Sequence, residues 1–215
     1  MDTRYKNVVF DLDGTLVDSK PTSLYSLQQT IKIVENRFFS IKELEVVLGL
    51  SDYDAFNVLK VTKQEECYRV WKKLSKELDN QKLLFPQILN TLTQLNNFGV
   101  TLGIVTSREK ERYYDNSIIM NDLNNFFKIV VTSESTKKHK PNPEPLLKWL
   151  ELSGAEPSQT IYIGDTEYDY ICATKSNVNI GLEAWGLHQK VNTKLIFNSP
   201  NHILQLFHKG DFYYD

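Results

Sequence analysis

The feature that most constrains this chain is a short apolar run that ends on two acids. Val8, Val9 and Phe10 are followed at once by Asp11, Leu12, Asp13 and Gly14. Three consecutive apolar, mostly β-branched residues with no polar alternation read as a strand buried on both faces, the habit of a parallel sheet covered by helices. Carboxylates at i and i+2, just past the carboxyl end of such a strand, lie where open α/β sheets bind ligands. Gly14 allows a sharp turn or a close approach of backbone to ligand. Taken alone, Asp-x-Asp-Gly is also an ordinary solvated turn.

The rest of the chain supports the α/β reading. From Phe85 onward strands and helices alternate. A helix runs to about Asn97, with Pro86 in its first turn and Phe98-Gly99 ending it. A second strand is expected at Thr101–Val105, then a charged helix to about Met120, and a third strand at Phe127–Val131. A helix over Glu144–Leu152, a strand over Thr160–Ile163, a helix from about Thr166 and a short strand over Val178–Leu182 complete the pattern. Such repetition predicts a doubly wound parallel sheet with helices on both faces. The stretch from Pro21 to Leu83 differs. Leu24, Leu27, Ile31 and Val34, then Leu44, Val47 and Leu48, then Cys67, Val70, Trp71 and Leu74 recur at helical spacing. That is more helix than one crossover needs. The expected organisation is therefore a core of residues 1–16 and 83–215 with an inserted helical domain over 17–82.

Composition narrows the function classes. The net charge is −2, with 41% hydrophobic and 24% charged residues, so there is no basic footprint for nucleic acid. No apolar run approaches the ~20 residues of a membrane span, and residues 1–6 carry no apolar leader stretch. The expected location is cytoplasmic, with no membrane partner. Cys67 and Cys172 show neither disulfide-framework nor metal spacing and are expected to be reduced thiols in or near the core.

Polar residues gather at the carboxyl ends of the expected strands: Asp11 and Asp13, then Thr106 and Ser107, then Asp165, with Asp169 four residues on. For Thr106 and Ser107 the residues alone leave two readings, a helix N-cap or a phosphate contact through hydroxyl and backbone N–H. Lys140 lies in His139-Lys140-Pro141-Asn142-Pro143-Glu144-Pro145, where three prolines fix the chain before a helix. Asp165 and Asp169 share one face of a helix start.

These strings carry a resemblance. Asp-Leu-Asp-Gly-Thr-Leu-Val-Asp-Ser, Thr106-Ser107, Lys140-Pro-x-Pro and Gly164-Asp165-x-x-x-Asp169 resemble, in order, the four motifs of the haloacid dehalogenase-like superfamily, in its phosphatase branch. The resemblance implies Asp11 as the nucleophile accepting a phosphoryl group and Asp13 as general acid/base. It implies Thr106, Ser107 and Lys140 as phosphate contacts, with Lys140 also neutralising the nucleophile. Several carboxylates and a phosphate dianion cannot converge on one lysine, so a hard cation is expected. Mg2+ suits a site of few carboxylates plus substrate phosphate. Its implied ligands are Asp11, Asp165 and the carbonyl of Asp13, with Asp169 holding Lys140 or a metal-bound water. The insert resembles a cap domain, and Gly49-Leu50-Ser51 its substrate-facing loop, although the same three residues also make a plain helix-ending turn. Ala173–Asn177 replaces a glycine-rich run that often follows the fourth motif.

The function this implies is Mg-dependent hydrolysis of a small phosphate monoester, phosphoglycolate-phosphatase-like, through an aspartyl-phosphate. The alternatives are a sugar-phosphate mutase of the same branch or a catalytically silent sensor or adaptor on this scaffold. Residues Val17–Asn80 hold ten Lys or Arg and ten Asp or Glu, so a neutral lid favours a small phosphorylated metabolite over an anionic polymer. The expected assembly is a monomer or homodimer.

Overall fold

A computed structural model describes residues 4–114, 118–186, 193 and 195–207. The apolar run forms strand β1 (Asn7–Phe10), with Val8, Val9 and Phe10 entirely enclosed. Its side chains alternate between two apolar clusters. Val8 and Phe10 join one with Leu92, Ile104 and Phe207, while Val9 joins another with Val105, Trp149 and Tyr162. That division is what a strand covered on both faces requires.

The chain leaves β1 through a short strand, β2 (Val17–Asp18), and enters helices α1 (Lys20–Glu35), α2 (Ile41–Leu44), α3 (Asp52–Val58) and α4 (Gln64–Glu77). It returns on β3 (Leu83–Leu84), which pairs antiparallel with β2, Val17 opposite Leu84 and Asp18 opposite Leu83. This two-stranded ribbon brackets the helices, which the helical periodicity alone did not anticipate. Leu24, Ile31, Leu44, Phe56, Cys67 and Trp71 form an apolar cluster of the insert's own. Helix α4 carries Glu65 and Glu66 in its first turn and Lys76 in its last, charges the helix dipole favours, although Glu77 closes it.

Beyond the ribbon come α5 (Ile88–Asn97), β4 (Thr101–Val105), α6 (Lys110–Tyr113), α7 (Ile118–Asn124), β5 (Ile129–Val131) and α8 (Glu144–Ser153). They are followed by β6 (Thr160–Gly164), α9 (Glu167–Lys175), β7 (Asn179–Glu183) and β8 (Ile196–Phe197), with a 3-10 helix at Pro200–Phe207. Six strands make one parallel sheet in the order β5-β4-β1-β6-β7-β8. The doubly wound α/β architecture is thus present.

Three details depart from expectation. The charged helix after the second strand is not continuous to Met120: α6 closes at Tyr113, α7 opens at Ile118, and the intervening residues lie outside the described ones. The third strand starts at Ile129, because Phe127 turns into the core and packs edge-on against Phe10, centroids 6.2 Å apart. The two-residue β8 extends the sheet by a strand that carries no periodic signal. Cys67 and Cys172 are free and buried. Among the described residues no helix is long and apolar enough to cross a membrane.

Topology locates the crevice. From β1 the chain moves to β4 and β5 on one side, and from β6 to β7 and β8 on the other, so the connections diverge between β1 and β6. Phe10 stands opposite both Ile104 and Ile163, so the ends of β1, β4 and β6 are level.

Candidate active site

Asp11 leaves the end of β1 with its backbone N–H donating to the Ile163 carbonyl (2.8 Å). Its carboxylate is 2% exposed and accepts from Lys140 Nζ at 2.8 Å. Lys140 also donates to Asp169 Oδ1 (2.7 Å) and lies 3.3 Å from the Tyr162 hydroxyl. Tyr162, inside β6, has that hydroxyl 3.0 Å from both Asp169 Oδ1 and the Val105 carbonyl. Asp169 is fully enclosed. Its Oδ2 accepts from the Thr166 hydroxyl (2.6 Å) and backbone N–H (3.0 Å), while Thr166 caps α9 in a capping box. A helix cap therefore fixes the carboxylate that fixes the lysine that faces Asp11.

The electrostatics follow from burial. Desolvation opposes charge on every group here, yet Asp11 and Asp169 raise the Lys140 ammonium above its ordinary value. Despite burial, Lys140 and the Thr166 donors hold Asp169 low. Burial pushes Asp11 well up, with Asp169 and Asp165 adding to it against the pull of Lys140. Asp165 is likewise raised by burial and Asp169, with Lys20 pulling the other way. Asp11, Asp165 and Asp169 each offer an oxygen within 4.8 Å of the others. Carboxylates crowded this closely, with no nitrogen or sulfur donor, suit a hard cation. Both Asp169 oxygens already accept several hydrogen bonds, which leaves Asp11 and Asp165 as the side chains better able to take it.

Asp165 follows Gly164 at the end of β6. Thr15 donates to its Oδ1 (3.0 Å), and Lys20 Nζ lies 2.9 Å from its Oδ2 with both side chains enclosed. Asp13 is turned differently. Arg108 grips its carboxylate with two bonds, Nη2 to Oδ1 at 2.6 Å and Nε to Oδ2 at 3.0 Å. Although burial acts against ionisation, the guanidinium holds Asp13 well below the usual carboxylate range.

Thr106 ends β4 with its side chain buried; its hydroxyl oxygen accepts from Arg108 N at 3.1 Å. It is not a helix N-cap, since α6 starts only at Lys110 with Glu109 before it. The Ser107 hydroxyl donates to the Gly49 carbonyl of the insert (2.7 Å), so neither Ser107 nor Thr106 adjoins a helix start. Gly49 has φ +86° and would press a Cβ to within 2.9 Å of Thr166 Oγ1, so the loop needs glycine there. Gly49 and Leu50 of the loop, Asp52 and Arg112 line one cavity with Asp11, Asp13 and Lys140, of about 100 Å³; Ser51 is not among its lining residues. Its insert-side wall is apolar, with Leu24, Val47, Phe56 and Trp71. Arg112 stacks on Trp71 at 4.2 Å and lies 3.5 Å from Asp52. Burial pushes Asp52 up to about 6 against the pull of Arg112.

Asp11, Lys140, Asp165 and Asp169 thus converge, with Asp13 and Thr106 at the rim. Thr15, Lys20, Arg108, Tyr162 and Glu183 were not singled out from sequence. Glu183, at the end of β7, is pushed up to about 7 by burial, with Asp165 adding to it. Lys20 and Arg108 each directly follow a motif in sequence, but that position alone does not show that their charges are enclosed.

The haloacid dehalogenase-like hydrolase family matches residues 8–182. A pyrophosphatase, PpaX, from Oceanobacillus iheyensis is 30% identical over 183 residues, 85% of each chain. A crystal structure of a Lactobacillus plantarum protein, provisionally named a phosphoglycolate phosphatase, is 28% identical with a TM-score of 0.81, covering 94% of this chain and 99% of that one. A hydrolase from Pseudomonas syringae, at 20% identity, shares the fold with a TM-score of 0.84 over 94% and 97% of the two chains.

Proposed function

The chain belongs to the haloacid dehalogenase-like hydrolase family, and on that premise we propose that it hydrolyses a small phosphorylated substrate through an aspartyl-phosphate on Asp11. The observation that carries this reading is the hold on Asp11: a buried carboxylate at a strand end, 2.8 Å from an ammonium that Asp169 positions. A carboxylate oxygen of Asp11 attacks phosphorus, and the bond from phosphorus to the leaving oxygen breaks. Asp13 gives that oxygen a proton. It then takes one from the water that attacks phosphorus in the second step, releasing phosphate and restoring Asp11. Thr106 and Lys140 contact the transferring phosphoryl group, and Ser107 joins them when it leaves Gly49. Mg2+ would be held by the side chains of Asp11 and Asp165 and the carbonyl of Asp13, and supplies neutralisation of the phosphoryl charge.

Arg108 bears on which substrate. While it grips both oxygens of Asp13, that carboxylate stays ionised and cannot donate a proton. A substrate with a second anionic group, the far phosphate of pyrophosphate or the carboxylate of phosphoglycolate, offers Arg108 another partner and releases Asp13. Pyrophosphate hydrolysis is therefore a second reading, favoured by the name of the Oceanobacillus relative. Residues 17–82 act as a cap that admits small substrates, its polar loop and apolar wall closing over the strand ends. The test is phosphate release with Mg2+ from pyrophosphate, phosphoglycolate and an aryl phosphate, by wild type and Asp11→Asn. We expect turnover of at least one small substrate and none by a folded Asp11→Asn. Wild-type turnover by that variant contradicts the mechanism.

A further inference from the structure

Lys20 opens α1 and is buried, at 4% exposure. Its stem lies across Gly14, whose φ is +90°; a Cβ there would come within 2.5 Å of Lys20 Cε and 2.6 Å of Asp165 Oδ2. The ammonium thus sits in a space that only glycine leaves open, 2.9 Å from Asp165 Oδ2. Thr15 takes the other oxygen. A divalent cation bound through Asp165 would meet this ammonium at close range in a poorly screened interior, where like charges repel strongly. An enclosed lysine needs a carboxylate wherever it goes.

A second carboxylate lies near Gly14. Glu183 is 2% exposed, and its Oε2 accepts from the N–H groups of Trp185 (2.8 Å) and Gly186 (2.7 Å). Its Oε1 is enclosed with no hydrogen-bond partner among the described residues. A Cβ on Gly186 would lie 2.9 Å from that oxygen and 3.1 Å from the Gly14 carbonyl, so Gly186 stands between Glu183 Oε1 and the Gly14 peptide that the Lys20 stem crosses, and the Lys20 charge acts on Glu183. An orphaned, enclosed carboxylate oxygen is costly to leave unmatched. A lysine on a flexible four-carbon stem with three rotatable donors is suited to reach it.

We propose that Lys20 is a tethered cation with two seats, Asp165 before a divalent metal binds and Glu183 afterwards. Lys20 balances Asp165 while the site is empty of metal, withdraws when the metal takes Asp165, and is received by Glu183. It is a positioning residue that sets metal affinity. The idea rests on the reading that Asp11 and Asp165 hold the metal.

The experiment is calorimetric titration of the full chain with Mg2+ alone, without substrate, so that the readout is affinity rather than turnover. Lys20→Met is expected to tighten Mg2+ and Glu183→Gln to weaken it. In the Lys20→Met background Glu183→Gln should have little effect, a coupling of about tenfold between the two sites. Equal or weaker Mg2+ binding by Lys20→Met, or the same Glu183→Gln effect in both backgrounds, overturns the proposal. The second criterion separates it from a general effect of charge. Far-UV circular dichroism checks each fold, and Lys20→Gln, which keeps a polar end, replaces Lys20→Met if that variant does not fold. Asp165→Asn separates the premise: Mg2+ binding that survives it overturns the metal assignment itself, whatever Lys20 does.

Discussion

The two walls of the cavity are built on different rules. On the core wall, Lys140 is held between Asp11 and Asp169, Asp169 is locked by a helix cap, and all three side chains are enclosed. On the insert wall, beyond the enclosed Lys20–Asp165 pair and the Arg112 contacts to Trp71 and Asp52, the contacts are single and partly exposed. Ser107 meets the Gly49 carbonyl, Tyr168 donates to the Val46 carbonyl at 2.8 Å, His139 meets Asp54 at 2.9 Å, and Tyr68 reaches Glu109. A fully satisfied buried network rigidifies, whereas exposed single bonds contribute little each and break readily. The contrast teaches a division of labour. In the proposed mechanism the core wall would keep the reacting groups aligned while the insert wall opens.

Breaking the core wall should do the most damage. Lys140→Met leaves Asp11 and Asp169 facing each other unneutralised. Turnover should vanish and stability fall by about 3–5 kcal/mol, as when one partner of a buried pair is removed; urea unfolding measures it. A loss under 1 kcal/mol would mean that the core wall is not preorganised by charge. At the rim, Asp13→Asn should slow turnover by roughly 10²–10⁴-fold, the usual reach of a general acid/base. Aryl phosphates, whose leaving group needs no proton, should be spared in the first step. An equal loss on good and poor leaving groups, with phosphoryl transfer to the enzyme rate-limiting, would remove Asp13 from that role.

The insert wall should respond more mildly. Burial raises Asp52 from an ordinary carboxylate value to about 6, with Arg112 opposing. Because the folded state then holds the proton more tightly than the unfolded chain, stability is lost as pH rises from about 4 to 6. Asp52→Asn removes that dependence. Relative to wild type its stability should climb across this window by on the order of 2 kcal/mol, less whatever Arg112 loses. Unfolding free energies at pH 4 and pH 7 test the sign. Least of all, Tyr168→Phe removes one exposed bond between core and insert and should cost about 0.5–1.5 kcal/mol of that contact. It should act on KM more than on kcat, and a collapse of kcat would show that the insert wall takes part in alignment.

Much of the core wall was legible in the sequence, since Asp11 and Asp165 directly follow strand ends that apolar runs reveal, Asp169 lies four residues beyond Asp165 on the helix that follows, and Lys140 is framed by prolines. Arg108 and Lys20 were not. Whether a charged side chain is enclosed depends on partners far along the chain: Arg108 meets Asp13 across 95 residues, and Thr15 meets Asp165 across 150. No local pattern encodes such a pairing. The same reason hid Glu183, which the turn at Trp185 and Gly186 anchors. The end of α6 at Tyr113 was missed because the charged run Arg108–Arg112 reads as the start of a longer helix. The ribbon of β2 and β3 was missed because two residues cannot display a period.

The central claim is that Asp11 carries the phosphoryl group. Its direct test is acid quenching of the enzyme during turnover of a small phosphorylated substrate with Mg2+, then borohydride reduction and peptide mass analysis. Reduction converts an aspartyl-phosphate to homoserine, so the account predicts that change at Asp11 alone, dependent on substrate. Sustained phosphate release with Asp11 unmodified under rate-limiting hydrolysis of the intermediate, or with the phosphoryl group on another residue, would contradict it.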